Sequence, residues 1–397
     1  MQMLALVPDN ATVRGAGITV GYADYDAALA NREGAAQPES HAQFMAMLDA
    51  RDDAARLALM SIPGSGPPNF RDYFQQLGEM PELVGFDFFD IEQGLFFGAP
   101  PSIGIVLSGD FDADAIGTAY STRGYTESDV DGMTLWCPAD GCDTGLQQNL
   151  RGHNPGNPFG GHLGRSEPLL IAPDYVVDSA DIATIEASAA ALTDERPSLA
   201  DDESYRAAVE AITSEGVLIQ AQFIEAALLR PFDVASMIQP FGDDSGILTN
   251  EDALTEFLDE LRGYGELPPY LLATIADVII DDQQVAVIAL VYNDATSAET
   301  AGATLVQRFF NLSSLRYDRP YIELVAGREA TIDAPRVFTS ESTGKSVALF
   351  RIIGALPSST PDEDGMIVQG SMLYQLLATM LYSRDLYWLA TDIPQFE

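Results

Sequence analysis

Two periods govern the spacing of apolar positions along the chain. Where apolar residues recur every third or fourth position they predict helices; where they alternate or run together they predict strands. In the first half, Ala11–Val20 predicts a strand and Tyr25–Asn31 a helix. His41–Met60 carries Phe44, Met47, Leu48, Ala55 and Leu59 at helical spacing and predicts one amphipathic helix. Ile62–Pro68 is a Gly/Pro breaker, Phe70–Leu77 a short helix, and Phe86–Phe97 an aromatic-rich stretch with a strand after a turn. Ser102–Leu107 predicts a buried strand, and Asp112 caps a helix over Ala113–Thr122. Met133–Cys137, Leu169–Ile171 and Tyr175–Val177 predict strands; Asp181–Leu192 and Asp202–Ile212 predict helices.

The second half repeats this order. Val217–Phe223 predicts a strand that runs on toward Leu229, and Glu251–Leu261 a helix with Leu254, Phe257, Leu258 and Leu261 on one face. Leu271–Ile280 and Gln284–Tyr292 predict two strands joined by Asp281-Asp282-Gln283, followed by a helix over Thr296–Phe310. Tyr321–Val325, Thr331–Thr339 and Ser346–Ile353 predict strands, Met366–Leu381 a helix, and Asp385–Leu389 a last short strand. Both halves place a buried strand, a polar turn and an amphipathic helix in succession. The expected fold is α+β: two pseudo-repeated antiparallel-rich sheets with helices packed on one face. The halves are 1–215 and 216–397. An insertion at 143–167, with six Gly, two Pro and two His, interrupts the first. Loops of that length in compact domains are functional or mobile.

Composition narrows the function. Hydrophobic residues make up 47% of 397, enough for a sizeable core. Acidic residues outnumber basic ones 60 to 20, a net charge of −40, and Lys345 is the only lysine. Such a field excludes nucleic acid as a partner and disfavours anionic lipid surfaces. The longest apolar run, Val285–Val291, falls far short of the ~20 residues a membrane-spanning helix needs, so no transmembrane segment is expected. Met1–Val7 is short and uncharged, unlike a signal peptide. A mature chain, secreted or anchored through a missing N-terminus, would start this way, and so would a cytosolic protein. The cysteines arbitrate. Cys137 and Cys142 flank Pro138-Ala139-Asp140-Gly141, a turn-forming stretch that brings them within reach of a disulfide. A disulfide places the chain outside the cytoplasm; two reduced thiols on a loop are the alternative.

Candidate chemistry is sparse. Cys137, Cys142, His153 and His162 have a zinc-type donor set, but not at a familiar zinc spacing. Asp110, Asp112 and Asp114 begin like a calcium loop that fails at Ala115 and Ser121, so helix capping is the favoured reading. Asp129, Asp131, Asp140 and Asp143 flank the Met133–Cys137 strand and form a calcium candidate, with a solvated acidic rim as the alternative. Gly344-Lys345-Ser346 lacks the first glycine of a phosphate loop. Ser342 and Lys345 spell S-x-x-K in a hairpin turn, not at the head of a helix. No catalytic set emerges, and no cofactor other than calcium is expected. Arg14, Arg316, Arg319 and Arg328 are cations that neutralise nearby carboxylates or, clustered, would meet an anionic ligand. Phe86, Phe88, Phe89, Phe96 and Phe97 line either the core or an apolar pocket.

One resemblance adds to this. The run Gly109-Asp110-Phe111-Asp112-Ala113-Asp114-Ala115-Ile116, then Arg123-Gly124-Tyr125 and Asp131-Gly132-Met133-Thr134-Leu135, is followed by Asp178–Leu192 and by Pro197-Ser198-Leu199-Ala200-Asp201-Asp202. This order resembles uncharacterised extracytoplasmic proteins of bacteria, lipoproteins or anchored ectodomains, over roughly residues 80–215, with support at Leu6–Ala11. The resemblance implies a cell-envelope location and no catalytic residues. The expected function is therefore a non-enzymatic binding module for a protein or surface polymer, with self-association possible through an open edge strand. The alternative is a small-ligand or calcium-binding protein with a cleft between the halves.

Overall fold

The computed structural model describes residues 2–15, 20–100, 102–142, 148–165, 167–226, 251–361, 367–368, 370, 372–383 and 385–391. By contact the chain divides into two compact units. One holds Met1–Asp202, Ile219–Gln222 and Ser358–Val368; the other holds Glu203–Leu218, Phe223–Pro357 and Gln369–Glu397.

In the first unit seven strands form a ladder: β1 (Val20–Asp24), β2 (Ile91–Phe97), β3 (Gly104–Gly109), β4 (Tyr125–Val130), β5 (Met133–Pro138), β6 (Leu169–Ala172) and β7 (Tyr175–Ser179). Their order is β1-β2-β3-β7-β6-β5-β4, and every neighbouring pair is antiparallel. The β4–β5 hairpin closes over Asp131-Gly132, with φ of 54° and 81°. That is the tight turn whose backbone suits the strand twist, and Asp-Gly adopts it readily. Opposite residues of antiparallel strands share a face. The registers therefore align one row across the ladder: Trp136, Leu169, Asp178, Ile105, Phe96 and Gly21. A Cβ at Gly21 would lie 2.0 Å from the Phe96 ring, so glycine is what lets that ring lie flat against β1.

The helices of this unit are α1 (Ala11–Arg14), α2 (Tyr25–Ala30), α3 (His41–Asp49), α4 (Asp53–Ser61), α5 (Pro68–Asp72), α6 (Met80–Leu83), α7 (Ala113–Thr122) and α8 (Ile182–Leu192). Phe70 of α5, Met80 of α6, and Ile116 and Tyr120 of α7 join Ile105, Leu107, Leu169 and Val176 in one apolar cluster with Phe86, Phe88 and Phe96. The aromatic stretch thus serves the core. Residues 7–9 lie against 197–199. Pro8 and Ser198 form an antiparallel bridge, and the Leu199 N–H donates to Val7 O at 2.9 Å. Arg14 bridges Asp9 and Asp202, with Nη2 at 2.8 and 2.6 Å from their carboxylates.

The second unit contains β8 (Val217–Glu225) apart from its residues 219–222, together with β9 (Leu272–Ile280), β10 (Gln283–Tyr292), β11 (Ser313–Ser314), β12 (Arg319–Pro320), β13 (Thr331–Ile332), β14 (Arg336–Thr339) and β15 (Ser346–Ala355). Its ladder runs β8-β9-β10-β15, with β13 and β14 both beside β15, while β11 and β12 pair separately. The helices are α9 (Glu203–Thr213), α10 (Glu251–Gly263), α11 (Ala295–Asn311), α12 (Tyr321–Ala326) and α13 (Leu373–Tyr382). Leu258 of α10, Leu305 and Phe309 of α11, Tyr321 of α12 and Leu377 of α13 pack with Ile275, Ile288, Leu290 and Phe350 in one cluster. β9 and β10 are buried along almost their whole lengths. α9 lies against β9, β10 and β15, and none of its residues belongs to that cluster. The α+β reading stands, and the repeat has a physical form. Three strands, a helix after the third and a fourth strand returning beside it occur as β1-β2-β3-α7-β7 and as β8-β9-β10-α11-β15.

Several local expectations are corrected. Ala11–Val20 is not one strand: Asn10 accepts from the Val13 N–H at 3.0 Å and caps α1, and β1 begins only at Val20. The single helix over His41–Met60 is two. Arg51 takes φ of 60°, and the Asp52 carboxylate accepts from the Ala54 N–H at 2.8 Å, restarting the chain as α4. Tyr321–Val325 is helical, since Tyr321 and Val325, four apart, are both fully buried on one face. Residues 387–389 form a 3-10 turn, not a strand. β4 was not anticipated, because its acidic sequence YTESDV is exposed at four of six positions. The helix expected over Met366–Leu381 begins only at Leu373, because Ile367–Val368 form a short strand paired with Ser358–Pro361; the extension of β8 toward Leu229 lies outside the described residues.

Candidate binding groove and buried acid pair

Cys137 is bonded to Cys142, their Cα atoms 4.8 Å apart. Both sulfurs are committed, so the zinc set with His153 and His162 has no thiolate ligands. Asp131 and Asp140 lie at opposite ends of the six-residue β5, roughly 17 Å apart at ~3.3 Å per residue. Asp129 is used by the hairpin turn, accepting from the Gly132 N–H at 3.3 Å. The structure does not bring these carboxylates together; Asp143 lies outside the described residues. Among the described residues no group of three or more His, Cys, Asp or Glu is placed to hold a metal. Asp112 caps α7, accepting from the Asp114 N–H at 2.9 Å. His41 is buried, with Nε2 2.7 Å from Phe74 O, and belongs to the core.

A groove of about 400 Å³ lies between α3, α4 and residues 71–76. Met45, Leu48, Leu59 and Phe74 supply its apolar lining. Leu59 is 42% exposed, a large aliphatic side chain left open to water. Arg71, Asp72, Gln75 and Gln76 supply the polar part of the wall, with Arg71 Nε 2.9 Å from the Asp72 carboxylate. Charge is nearly balanced here. Residues 41–76 hold Asp49, Asp52, Asp53 and Asp72 against Arg51, Arg56 and Arg71, in a chain where acids exceed bases threefold.

A second feature lies inside the first unit. Asp178 stands in the apolar row between Leu169 and Ile105 and is 1% exposed. Its partner is Glu167, 7% exposed, at the end of the glycine-rich insertion. The Glu167 carboxylate lies close enough for its charge to act on Asp178. Burial first, and the Glu167 charge second, hold the Asp178 carboxyl well above the usual range. Burial also raises Glu167, against the pull of Arg165, whose Nη1 is 3.8 Å from Oε1. Arg123 approaches Asp178 but spends its donors elsewhere, on Leu83 O at 2.6 Å and the Tyr125 hydroxyl at 3.1 Å. Asp178 Oδ1 and Trp136 Nε1 are buried without a hydrogen-bond partner.

The insertion itself is built from turns. Asn157 Oδ1 accepts from the Phe159 N–H at 3.0 Å, and Phe159 enters the core beside Phe86. Asn154 donates to Glu79 at 3.1 Å. Gly160 has φ of 72°, and a Cβ there would lie 2.2 Å from Glu167 Oε1. Glycine therefore lets the insertion settle onto the acid pair.

The second unit carries a contrasting arrangement. Asp277, also on a buried strand face, accepts from the Gln284 amide at 3.1 and 3.2 Å. An amide needs no proton to pair with a carboxylate. Arg308, fully buried, donates to Gly265 O, Trp388 O and Ala390 O at 2.7, 3.1 and 2.8 Å and pins residues 388–390 to α11. Desolvation lowers its guanidinium to about 10.

Both central features escaped the sequence reading, for identifiable reasons. Treating His41–Met60 as one helix hid the helix pair that walls the groove. Ending the strand at Val177 hid Asp178, although Val176 and Asp178 are two apart and must share a face.

No protein-family model matches the chain, and no curated protein does. Among solved structures, crystal form I of TP0453 aligns with a TM-score of 0.33 and 9% identity, over 95% of this chain and 96% of that one. Crystal form III of TP0453 aligns with a TM-score of 0.31 and 10% identity, over 79% and 92%. Values this low transfer neither a family nor a function.

Proposed function

We propose that this chain is a non-enzymatic, extracytoplasmic binding module. Its groove between α3, α4 and residues 71–76 takes an uncharged, apolar-bearing segment of a partner protein. The Cys137–Cys142 disulfide supports the compartment. The observation that carries the binding reading is an apolar floor open to water in a stretch of a −40 chain that is nearly neutral. The acidic field of the chain repels most proteins and polymers of its own sign; here that barrier is weak, and Leu48, Leu59 and Met45 offer the apolar area an anchor side chain needs. The exposed amides of Gln75 and Gln76 favour a second reading, a neutral surface polymer held by its hydroxyls.

The test is a selection from a random-peptide display library against the oxidised chain and against Leu59→Glu. The proposal expects the wild type to enrich peptides with an apolar residue free of acidic neighbours, and Leu59→Glu to lose them. Equal enrichment on both proteins would remove the groove as the site. No enrichment, with specific retention of a neutral glycan, would favour the polymer reading.

A further inference from the structure

We propose that the β11–β12 hairpin of the second unit is a rigid recognition finger whose tip, Arg316-Tyr317-Asp318-Arg319, binds a short acidic segment of a partner protein. This site does not depend on the groove of the first unit. Of the arginines marked in the sequence, Arg14 is spent on Asp9 and Asp202. Arg316 and Arg319 are not spent in that way. Among the described residues neither makes an ion pair, whereas Arg71, Arg336 and Arg351 each meet a carboxylate. Both are exposed, as are Tyr317 and Asp318 between them. Residues 300–322 hold Asp318 as their one acid, in a chain where acids exceed bases threefold.

The tip is built to stay in place. Ser313 pairs with Pro320 and Ser314 with Arg319, and the Asp318 N–H donates to Ser314 O at 3.0 Å. Asp318 takes φ of 48°, a left-handed backbone that aspartate tolerates better than most residues. Behind the turn lies Asp385, 0% exposed. Its carboxylate accepts from the Ser314 hydroxyl, from the Leu315 N–H at 2.9 Å and from the Tyr321 hydroxyl at 3.1 Å. The Ser314 hydroxyl in turn accepts from the Tyr317 N–H at 3.0 Å, and the Tyr387 hydroxyl donates to Ser313 O. A buried carboxylate thus fixes the turn that carries the arginines. At the tip the Arg316 guanidinium lies over the Tyr317 ring, 5.7 Å from its centre. A loop fixed before contact loses little conformational entropy on binding.

Chemistry selects the ligand. Arginine presents a planar fork that meets a carboxylate through two parallel hydrogen bonds. Arginine and tyrosine are also enriched among the side chains that dominate protein contacts. Tyr317, 38% exposed, offers an aromatic surface for a peptide to lie across, which a free anion does not use. The −40 field repels densely anionic membranes and polymers over their whole extent. A segment bringing two carboxylates on an otherwise neutral chain meets far less of that repulsion.

The experiment measures, by fluorescence anisotropy, the binding of labelled synthetic peptides of Gly, Ser and Tyr that carry two glutamates at increasing separations, each compared with a twin carrying glutamines instead. The proteins are the oxidised full chain, Arg316→Ala/Arg319→Ala, and Arg151→Ala/Arg196→Ala, which removes the same charge from exposed positions elsewhere. The wild type should hold at least one glutamate peptide about tenfold or more tighter than its twin, and less tightly as salt rises. Arg316→Ala/Arg319→Ala should lose about tenfold or more of that affinity, and Arg151→Ala/Arg196→Ala should match the wild type. Equal binding by the two double variants, or no glutamate peptide preferred to its twin, overturns the finger. Inorganic phosphate or phosphatidylglycerol vesicles bound in preference to every peptide, and lost in Arg316→Ala/Arg319→Ala, would assign the tip to another anion and overturn the acidic-segment reading.

Discussion

At the scale of single residues, the buried polar groups divide by how they are satisfied. Arg308 spreads one guanidinium over three carbonyls, so truncating it leaves two buried acceptors and one half-buried acceptor without donors. Arg308→Ala should cost about 3 kcal/mol or more and loosen residues 388–390, measured by urea denaturation and exchange; a loss near zero would mean water replaces the guanidinium. Gly160→Ala should cost about 1–3 kcal/mol, because a methyl group at φ of 72° would meet Glu167. The acid pair has a defined sign. Asp178 has a folded-state pKa raised above its unfolded value, so the folded chain holds the extra proton. Its contribution is complete below the unfolded carboxylate pKa and is lost as pH rises through the raised one. Wild-type stability should accordingly fall toward alkaline pH more steeply than that of Glu167→Gln, as thermal melts across pH would register. Equal slopes would remove the acid pair as the source.

At the scale of elements, the legible parts were those whose pattern is local. β10 and α11 were visible because seven apolar residues in a row, then a capped 3.6-residue period, have few other readings. Asp112 announced α7 by its own chemistry. What stayed hidden carries no apolar pattern of its own. β4 is acidic because it is an edge, and its exposed Glu127 and Asp129 discourage pairing with another copy. The break at residues 50–52 hangs on one left-handed backbone at Arg51, which no residue preference foretells. The short disulfide loop closes only five residues of separation, so the double change Cys137→Ser, Cys142→Ser should cost only about 2 kcal/mol. A reductant-dependent loss of the whole fold would contradict so small a contribution.

At the scale of the whole molecule, net charge is the dominant surface property. A net −40 opposes compaction at low ionic strength, and screening should relieve it. The melting temperature is therefore expected to rise with sodium chloride, and with calcium at lower concentration; a flat response to both would contradict this account. Against that background the groove combines balanced charge with an exposed apolar lining. The most direct measurement is the Kd of a library-selected peptide for the wild type and for Leu59→Glu, at low and at physiological salt. The account predicts an affinity nearly insensitive to salt for the wild type and at least about tenfold weaker for Leu59→Glu. Unchanged binding by Leu59→Glu, or an affinity governed by ionic strength, would contradict it.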